Sequence, residues 1–457
     1  MTIRLHQRRA LQRGMMQNLL MAHGCGTGKS LTATMLAVFF PKPALIIAPA
    51  SIVEEVWAKE FAKWMPSLKP CFLVGTPKKR AKLLTEQHKV FVISYGNACS
   101  MYKQIVNKKF NVVILDESSQ IRSPKSKRTA MALALAGQHT RGGAFPPLKV
   151  PIAHRFALSG TPAPNERYEY WAQVKFVAGL GRGLDDNFYR FREQFYTEYM
   201  PAQNVRLFRF KTHLEEEFNR LIAPWVDVVR TADVLPDLQS FEQIRRVELS
   251  QKERQVYDSM LYDKVIQTES LKMLTKNCLT LVGHLRQLTS GFIYRPAAQG
   301  QAHGEVEEFG HSKLDELENL LGEIGQDRAI IWYNYDHEKD SILKRIKGSV
   351  WAGDLKNRNR ILTDFEIGRK KYLVANPASL GMGVNLQYVH SAVFFSLSAS
   401  YDAYEQARRR ILRSGQNDVC GFYFLMADKT YDQALWKIIQ RKESVEDATL
   451  NYLKECR

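Results

Sequence analysis

Cysteine is scarce in this chain, with 6 among 457 residues. Cys25, Cys71, Cys99, Cys278, Cys420 and Cys456 form no CxxC pair and have no histidine at zinc spacing, so neither a disulfide framework nor a structural zinc site is expected. Long apolar runs are missing too: no stretch would span a bilayer, and the basic start MTIRLHQRRALQR is not followed by the apolar core and cleavage site of a signal peptide. Solenoid repeats and low-complexity tails are also absent. Negative charge is in deficit, 47 Asp and Glu against 65 Lys and Arg, and a net charge of +18 suits a protein that meets a polyanion such as nucleic acid or an anionic membrane surface. What is present, 45% hydrophobic and 11% aromatic residues, is enough for buried cores. A soluble, intracellular, globular protein of roughly two domains is expected at this length.

Short continuous apolar runs recur between helical patterns: ALIIAPA, CFLVG, VFVISY, VVILDE and RFALSG in the first half, then AIIWYN, SVWAG, KYLVAN, AVFFS and CGFYFLM. A parallel strand covered by helices on both faces needs such runs, so two α/β lobes are expected, each a parallel sheet wrapped by helices. The reading places one lobe at residues 1–232 and the other at 233–457, each with a helical insertion. The stretch from Tyr168 to His311 reads as mostly helical, with FNRLIAPW, SQKERQVYDSMLYDKVIQ and LVGHLRQL as its helices and VLPDLQS as a hinge. HTRGGAFPPLKVP and PAAQGQAHGEVEEFGHS read as surface loops.

HGCGTGKSL follows a helical pattern and opens another, LTATMLAVFF. Gly24, Gly26 and Gly28 let the loop that includes Cys25 and Thr27 fold tightly, with N–H groups turned toward phosphate, while Lys29 adds a point charge and Ser30 a hydroxyl for Mg²⁺. The strict pattern GxxxxGK[ST] wants glycine at position 23, where His23 stands; alone, the loop is equally compatible with a structural turn. NVVILDESSQ ends a buried run in Asp116 and Glu117, where open parallel sheets carry their chemistry, although adjacent acids there also suit a helix cap. In phosphoryl transfer Asp116 would hold the metal and Glu117 would orient or deprotonate the attacking water. QARRRILRSGQ gathers Arg408, Arg409, Arg410 and Arg413. Arg410 and Arg413, one helical turn apart, suit a γ-phosphate presented by the first lobe, while Arg408 and Arg409 suit surface or nucleic-acid contacts.

With these residues in order, nearly the whole chain resembles the Swi/Snf-like double-stranded DNA translocases among the superfamily-two helicase-type ATPases. LHQRRALQ resembles the adenine-reading motif, with Gln7 as the base contact; GCGTGKS resembles motif I, and LIIAPASIVEEVWAKEFAKW motif Ia. ISYGNA resembles motif Ib, LDESSQIRSPKSKR motif II with this group's basic tail, and ALSGTPAPNERYEYW motif III, whose Ser159, Gly160 and Thr161 would couple hydrolysis to lobe movement. VVRTADVLPDL, VELSQKERQVY and LRQLTSG resemble the lobe junction. AIIWYNYDHEKDSIL, SLGMGVNL and EQARRRILRSGQ resemble motifs IV, V and VI, placing Gly383 near the nucleotide and Gln406, Arg410 and Arg413 at the triphosphate. His23, Ser119 and Arg409 depart from the group's usual residues.

The resemblance implies two RecA-like lobes of the tandem P-loop NTPase fold, ATP and Mg²⁺ as cofactors, and hydrolysis coupled to movement along duplex DNA without strong sequence specificity. DNA would be met by Ser51, Ser94 and Tyr95 on the first lobe and Asn334 on the second, with Lys125, Lys127, Arg128 and LKNRNR at 355–360 adding charge. Such a compact motor points to genome replication, repair or recombination in a bacterial or virus-infected cytoplasm rather than a nucleus; a protein partner is left open. The alternatives are a strand-separating DNA or RNA helicase, and an ATP-gated DNA-binding scaffold.

Overall fold

The structure is a computed structural model; it describes residues 3–24, 26–139, 144–164, 166–202, 205–235, 238–262, 281–295, 305–354, 356–377, 380, 384, 386–398, 400–413 and 415–441. The chain divides into two compact units, one of residues 1–199 and 208–236, the other of residues 200–207 and 237–457.

The first unit is built on seven parallel strands: β1 (Leu19–His23), β2 (Ala44–Ala48), β3 (Cys71–Phe72), β4 (Val90–Ser94), β5 (Val112–Asp116), β6 (His154–Ser159) and, after the hairpin strands β7 (Tyr196–Ala202) and β8 (Val205–Phe210), β9 (Val226–Val229). Their order across the sheet is β3-β4-β2-β5-β6-β1-β9. Leu20, Ile46, Ile47, Val92, Ile93, Val113, Ile114 and Ala157 are fully buried, because helices cover both faces and every strand position must be apolar. Successive strands β1 and β2 are separated by β6 and β5, so the chain reverses direction across the sheet there and leaves a crevice at the carboxyl ends. The register sets Ala22 beside Ser159 and Leu158 beside Asp116, which lines the ends of β1, β6 and β5 along one edge.

The second unit holds a six-stranded parallel sheet of β10 (Ser240–Val247), β13 (Ala329–Trp332), β14 (Ser349–Trp351), β15 (Tyr372–Ala375), β16 (Ser391–Phe394) and β17 (Cys420–Ala427), in the order β10-β17-β16-β13-β15-β14. The short strands β11 (Phe292–Tyr294) and β12 (Val306–Glu308) pair antiparallel beside it in sequence. Two clusters of buried side chains fill the two faces of the six-stranded sheet, one around Trp332, Phe394 and Phe424, the other around Ile331, Val393 and Leu425. Alternation along β13, β16 and β17 divides these residues between the faces. Among the described residues no helix is long and apolar enough to cross a membrane.

All ten expected strand runs form strands, and the parallel two-lobe α/β class is observed. Two expectations are corrected. The run before the phosphate loop is strand β1, not a helix; LLMAH is five residues long and buried throughout, too short for its periodicity to separate strand from helix. The described residues of the Tyr168–His311 stretch are not mostly helical: helices Tyr170–Ala178, Phe188–Phe195, Glu215–Ile222 and Gln251–Leu261 alternate with β7 to β12, and the end of the expected helix SQKERQVYDSMLYDKVIQ lies outside the described residues. β9 and β10 lie at sheet edges, and β10 is largely exposed, so no apolar run announced it. β12 falls within a segment expected to be a loop. The expected hinge VLPDLQS lies in part outside the described residues.

Candidate nucleotide-hydrolysis site

β1 ends at His23, and the chain turns over the sheet edge until helix α2 (Lys29–Phe39) begins; Cys25 lies outside the described residues. The glycines answer to close approach. A Cβ on Gly24 would meet Thr231 Oγ1 at 2.2 Å, and one on Gly28, whose φ is +86°, would meet Gln7 Nε2 at 2.3 Å. Gly28 caps α2 in the left-handed conformation that glycine tolerates best. Thr27 Oγ1 donates to Gly24 O (2.8 Å), and Lys29 Nζ donates to His23 O (2.8 Å) and Gly24 O (3.0 Å). The ammonium thus rests on the loop's own carbonyls, beside the helix N-terminus where amide donors favour an anion. Ser30 stands next on the first turn.

Helix α1 (Leu5–Met16) braces the loop from outside the sheet. Gln7 is buried; its Nε2 donates to Gly28 O (3.1 Å) and its Oε1 accepts from Arg4 N (2.9 Å), so both polar atoms of the expected base contact lie on the protein. His6 Nε2 lies 2.8 Å from Thr27 O.

At the end of β5, Asp116 Oδ2 accepts from Trp57 Nε1 (3.0 Å) and Oδ1 accepts from Glu117 N (3.0 Å). Burial and the neighbouring Glu117 charge push its carboxyl up to about 7, with Lys29 and the two hydrogen bonds pulling the other way. Glu117 adopts φ 51°, a left-handed conformation that costs a non-glycine residue about 1 kcal/mol or more. That turn sets two carboxyl groups side by side, and Ser119 Oγ donates to Glu117 Oε1 (3.2 Å). Ser119, a departure from the resembled pattern, therefore holds the acid expected to address water. Ser118 Oγ donates to Gln173 Oε1 (2.6 Å), tying the turn to the helix Tyr170–Ala178.

The expected coupling residues follow β6. Ser159 is buried, and its Oγ accepts from Thr161 N (3.2 Å), closing a tight turn through Gly160. Lys29, Ser30, Asp116, Glu117 and Ser159 to Thr161 are thus gathered on the carboxyl edge of one sheet.

The expected DNA contacts fall less uniformly. Ser51 is exposed on a single turn, Ala50–Ile52. Ser94 caps the helix Tyr95–Ser100, its Oγ accepting from Asn97 N. Tyr95 is buried with its hydroxyl donating to Asp116 O (3.0 Å), and burial with the Asp116 and Glu117 charges drives the phenol well above its ordinary range. The Tyr95 side chain therefore supports the acidic strand end from within. In the second unit the Asn334 amide donates to Ser396 O and Oγ (both 2.8 Å). Lys125, Lys127 and Arg128 are exposed after the acidic turn.

The arginine segment differs from expectation. The helix Tyr401–Arg408 stops before Arg410, and i to i+3 bonds (Arg410 N to Ala407 O, Ile411 N to Arg408 O, both 3.2 Å) tighten its end, so Arg410 and Arg413 do not share a helical turn. Arg408 pairs with Glu242 (3.3 Å) and Glu405 (3.4 Å), and Arg409 with Glu405 (3.0 Å). Arg410 is buried, its carbonyl accepting from Leu386 N (3.1 Å). Among the described residues Arg413 has no carboxylate within ion-pair distance. Gln406 lies on the helix, half-buried; Gly383 lies outside the described residues. Gln416 is buried and internal, donating to Val389 O (3.1 Å).

Sequence reading did not find Trp57, His6 or Asp227, each of which reaches the site through tertiary contact. Only the apolar helix register of Trp57 hinted at burial.

A glycine loop opening a helix after β1, with paired acids ending β5 on the far side of β6 in the same parallel sheet, defines a P-loop nucleotide hydrolase. Comparison with known proteins narrows this: the chain belongs to the SNF2-related domain family of helicase-like ATPases, whose model matches residues 6–291, followed by a helicase conserved C-terminal domain at residues 312–415. It is 25% identical over 454 residues to protein p41 of Acyrthosiphon pisum secondary endosymbiont phage 1, covering 94% of each chain. It is 25% identical over 466 residues to the SWI/SNF-related matrix-associated actin-dependent regulator of chromatin subfamily A-like protein 1 of Xenopus tropicalis, covering 93% of this chain and 42% of that protein. The chain thus spans less than half of that larger relative. The helicase domain of Pyrococcus furiosus Hef shares the fold, with TM-score 0.52 and 15% identity across 95% of this chain and 97% of that one.

Proposed function

We propose that this protein hydrolyses ATP to ADP and phosphate in order to move along duplex DNA or remodel protein–DNA complexes, in genome replication, repair or recombination. The observation that carries the reading is the edge of the first sheet, where Lys29, Asp116, Glu117 and the Ser159–Thr161 turn converge.

In this reading Lys29 leaves the His23 and Gly24 carbonyls for the β and γ phosphates, and the loop amides meet the remaining oxygens. Glu117, fixed by Ser119, orients the attacking water and takes its proton. Arg410 and Arg413 are assigned to the charge that develops on the transferring phosphoryl group. The donors available for a metal are hard oxygens, the Ser30 hydroxyl and an Asp116 carboxylate beside a second acid, a set that suits Mg²⁺. When bound there, Mg²⁺ would neutralise charge on the phosphate oxygens.

The nucleic-acid part of the reading is supported by the charge of +18, by family membership, and by exposed Lys125, Lys127 and Arg128 following the acidic turn. Contacts of this kind grip backbone rather than bases, so little sequence preference and a steep salt dependence are expected. Steady-state ATP hydrolysis should rise with duplex DNA more than with single-stranded DNA or RNA at fixed low salt. A rise chiefly with single strands or RNA would replace the translocase by a strand-separating helicase. No turnover under any condition would favour an ATP-gated scaffold.

A further inference from the structure

His23 occupies the position where the strict phosphate-loop pattern has glycine, and the structure gives it a specific partner. β1 and β9 run parallel with Met21 beside Asp227 and His23 beside Val229. Only Ala22 lies between Met21 and His23, so the His23 and Asp227 side chains lie on the same face, diagonal to one another. His23 Nε2 is 2.7 Å from Asp227 Oδ2, both residues being about as buried as the sheet core. Arg13 Nη1 donates to Asp227 Oδ1 (2.8 Å), and Arg9 Nη2 lies 3.1 Å from the same oxygen. One carboxylate therefore binds the tip of β1 to two turns of α1.

The pair sits directly behind the loop. Gly24 N donates to Val229 O (2.7 Å), and the carbonyls of His23 and Gly24 are the two that hold the Lys29 ammonium. Burying a carboxylate requires that its lone pairs be met, and an imidazole N–H reaches the inner oxygen where the guanidinium groups of Arg9 and Arg13 occupy the outer one. The Asp227 carboxylate can only accept, so the ring bears its proton on Nε2, the nitrogen that faces it; among the described residues the buried His23 Nδ1 has no hydrogen-bond partner. Glycine at position 23 would leave Asp227 Oδ2 unmet and the end of β1 without a side-chain anchor.

We propose that His23 is a positioning residue for ATP, and that its anchor on Asp227 fixes the two carbonyls on which Lys29 rests, so that the loop is held ready for the phosphates. The inference rests on the nucleotide-site reading above and adds to it that this chain's departure from the motif is part of the binding machinery. Restoring the motif should therefore weaken the enzyme.

The test compares wild type with His23→Gly, His23→Gln and Arg13→Gln in steady-state hydrolysis, with calorimetric binding of a non-hydrolysable ATP analogue alongside. His23→Gly should raise KM and the analogue Kd about tenfold with kcat within about twofold, as expected for loss of one charge-assisted hydrogen bond. His23→Gln, whose amide N–H can reach Asp227, should recover most of the loss. Arg13→Gln, changing a partly exposed partner of the same carboxylate, should raise KM about threefold and serves if His23→Gly does not fold. Wild-type KM in His23→Gly or in Arg13→Gln, or no recovery by Gln, would overturn the inference. A wild type that binds the analogue without hydrolysing ATP would defeat the hydrolysis reading alone, leaving His23 to be judged on Kd. A wild type that does not bind it would defeat both.

Discussion

The phosphate loop of the first unit and the arginine segment of the second are organised in opposite ways. Around the loop the named polar groups already have protein partners: Lys29 on two carbonyls, Gln7 of α1 on Gly28, Asp116 at the end of β5 on Trp57 and Glu117, and Glu117 on Ser119. In the arginine segment the groups divide. Arg408 and Arg409 are committed to Glu242 and Glu405, while among the described residues Arg413 meets no carboxylate. The first arrangement is a preorganised cradle. The second separates Arg408 and Arg409, tied to carboxylates within the unit, from the two arginines proposed above for the phosphoryl charge, a distinction that four neighbouring guanidinium groups do not reveal by spacing.

That comparison breaks most sharply at Arg413. Arg413→Ala should lower kcat about a thousandfold with little change in thermal stability, whereas Arg409→Ala should leave kcat within about threefold and affect mainly the melting temperature. Equal losses of kcat would erase the division. Within the cradle, Glu117→Gln should lower kcat about a hundredfold while analogue binding persists, because it removes a proton acceptor and not a phosphate contact. Ser119→Ala should cost about fivefold in kcat, read at saturating ATP, since it removes one of the hydrogen bonds that orient the Glu117 carboxylate.

The smallest effect is one of pH. Burial lowers the His23 imidazole below 6.5, with Lys29 and His6 pushing the same way and Asp227 opposing. The unfolded chain therefore takes up that proton first, and native stability falls as pH drops below 6.5. Asp227 is buried, but the hydrogen bond and charge of His23, with Arg9, hold it below 3.8, so its contribution persists above 3.8 and is lost only in stronger acid. As pH falls below 6.5, His23→Gln should therefore lose less melting temperature than wild type, by a few degrees at most. Parallel pH profiles would remove His23 from the account.

Much of the fold was legible because central parallel strands must be apolar on both faces: VFVISY and VVILDE announce themselves. Edge strands have no such requirement. β10, SFEQIRRV, pairs with β17 along its whole length yet is mostly exposed, and β9 has only four residues with Asp227 among them. The nucleotide site was legible in Lys29, Asp116 and Glu117 because phosphate chemistry dictates residue types at fixed local spacing. Its supports were not: Asp227 lies 204 residues from His23, and Trp57 lies 59 from Asp116. The helix end at Arg408 was also hidden, since QARRRILR has no proline or glycine to stop it before Gly415.

The most direct test is hydrolysis of ATP by the purified chain with and without duplex DNA at fixed low salt, for wild type, Arg413→Ala and Arg409→Ala. The account predicts stimulation by the duplex in wild type and in Arg409→Ala, and none in Arg413→Ala. Stimulation that survives Arg413→Ala, or is absent from wild type, would contradict it.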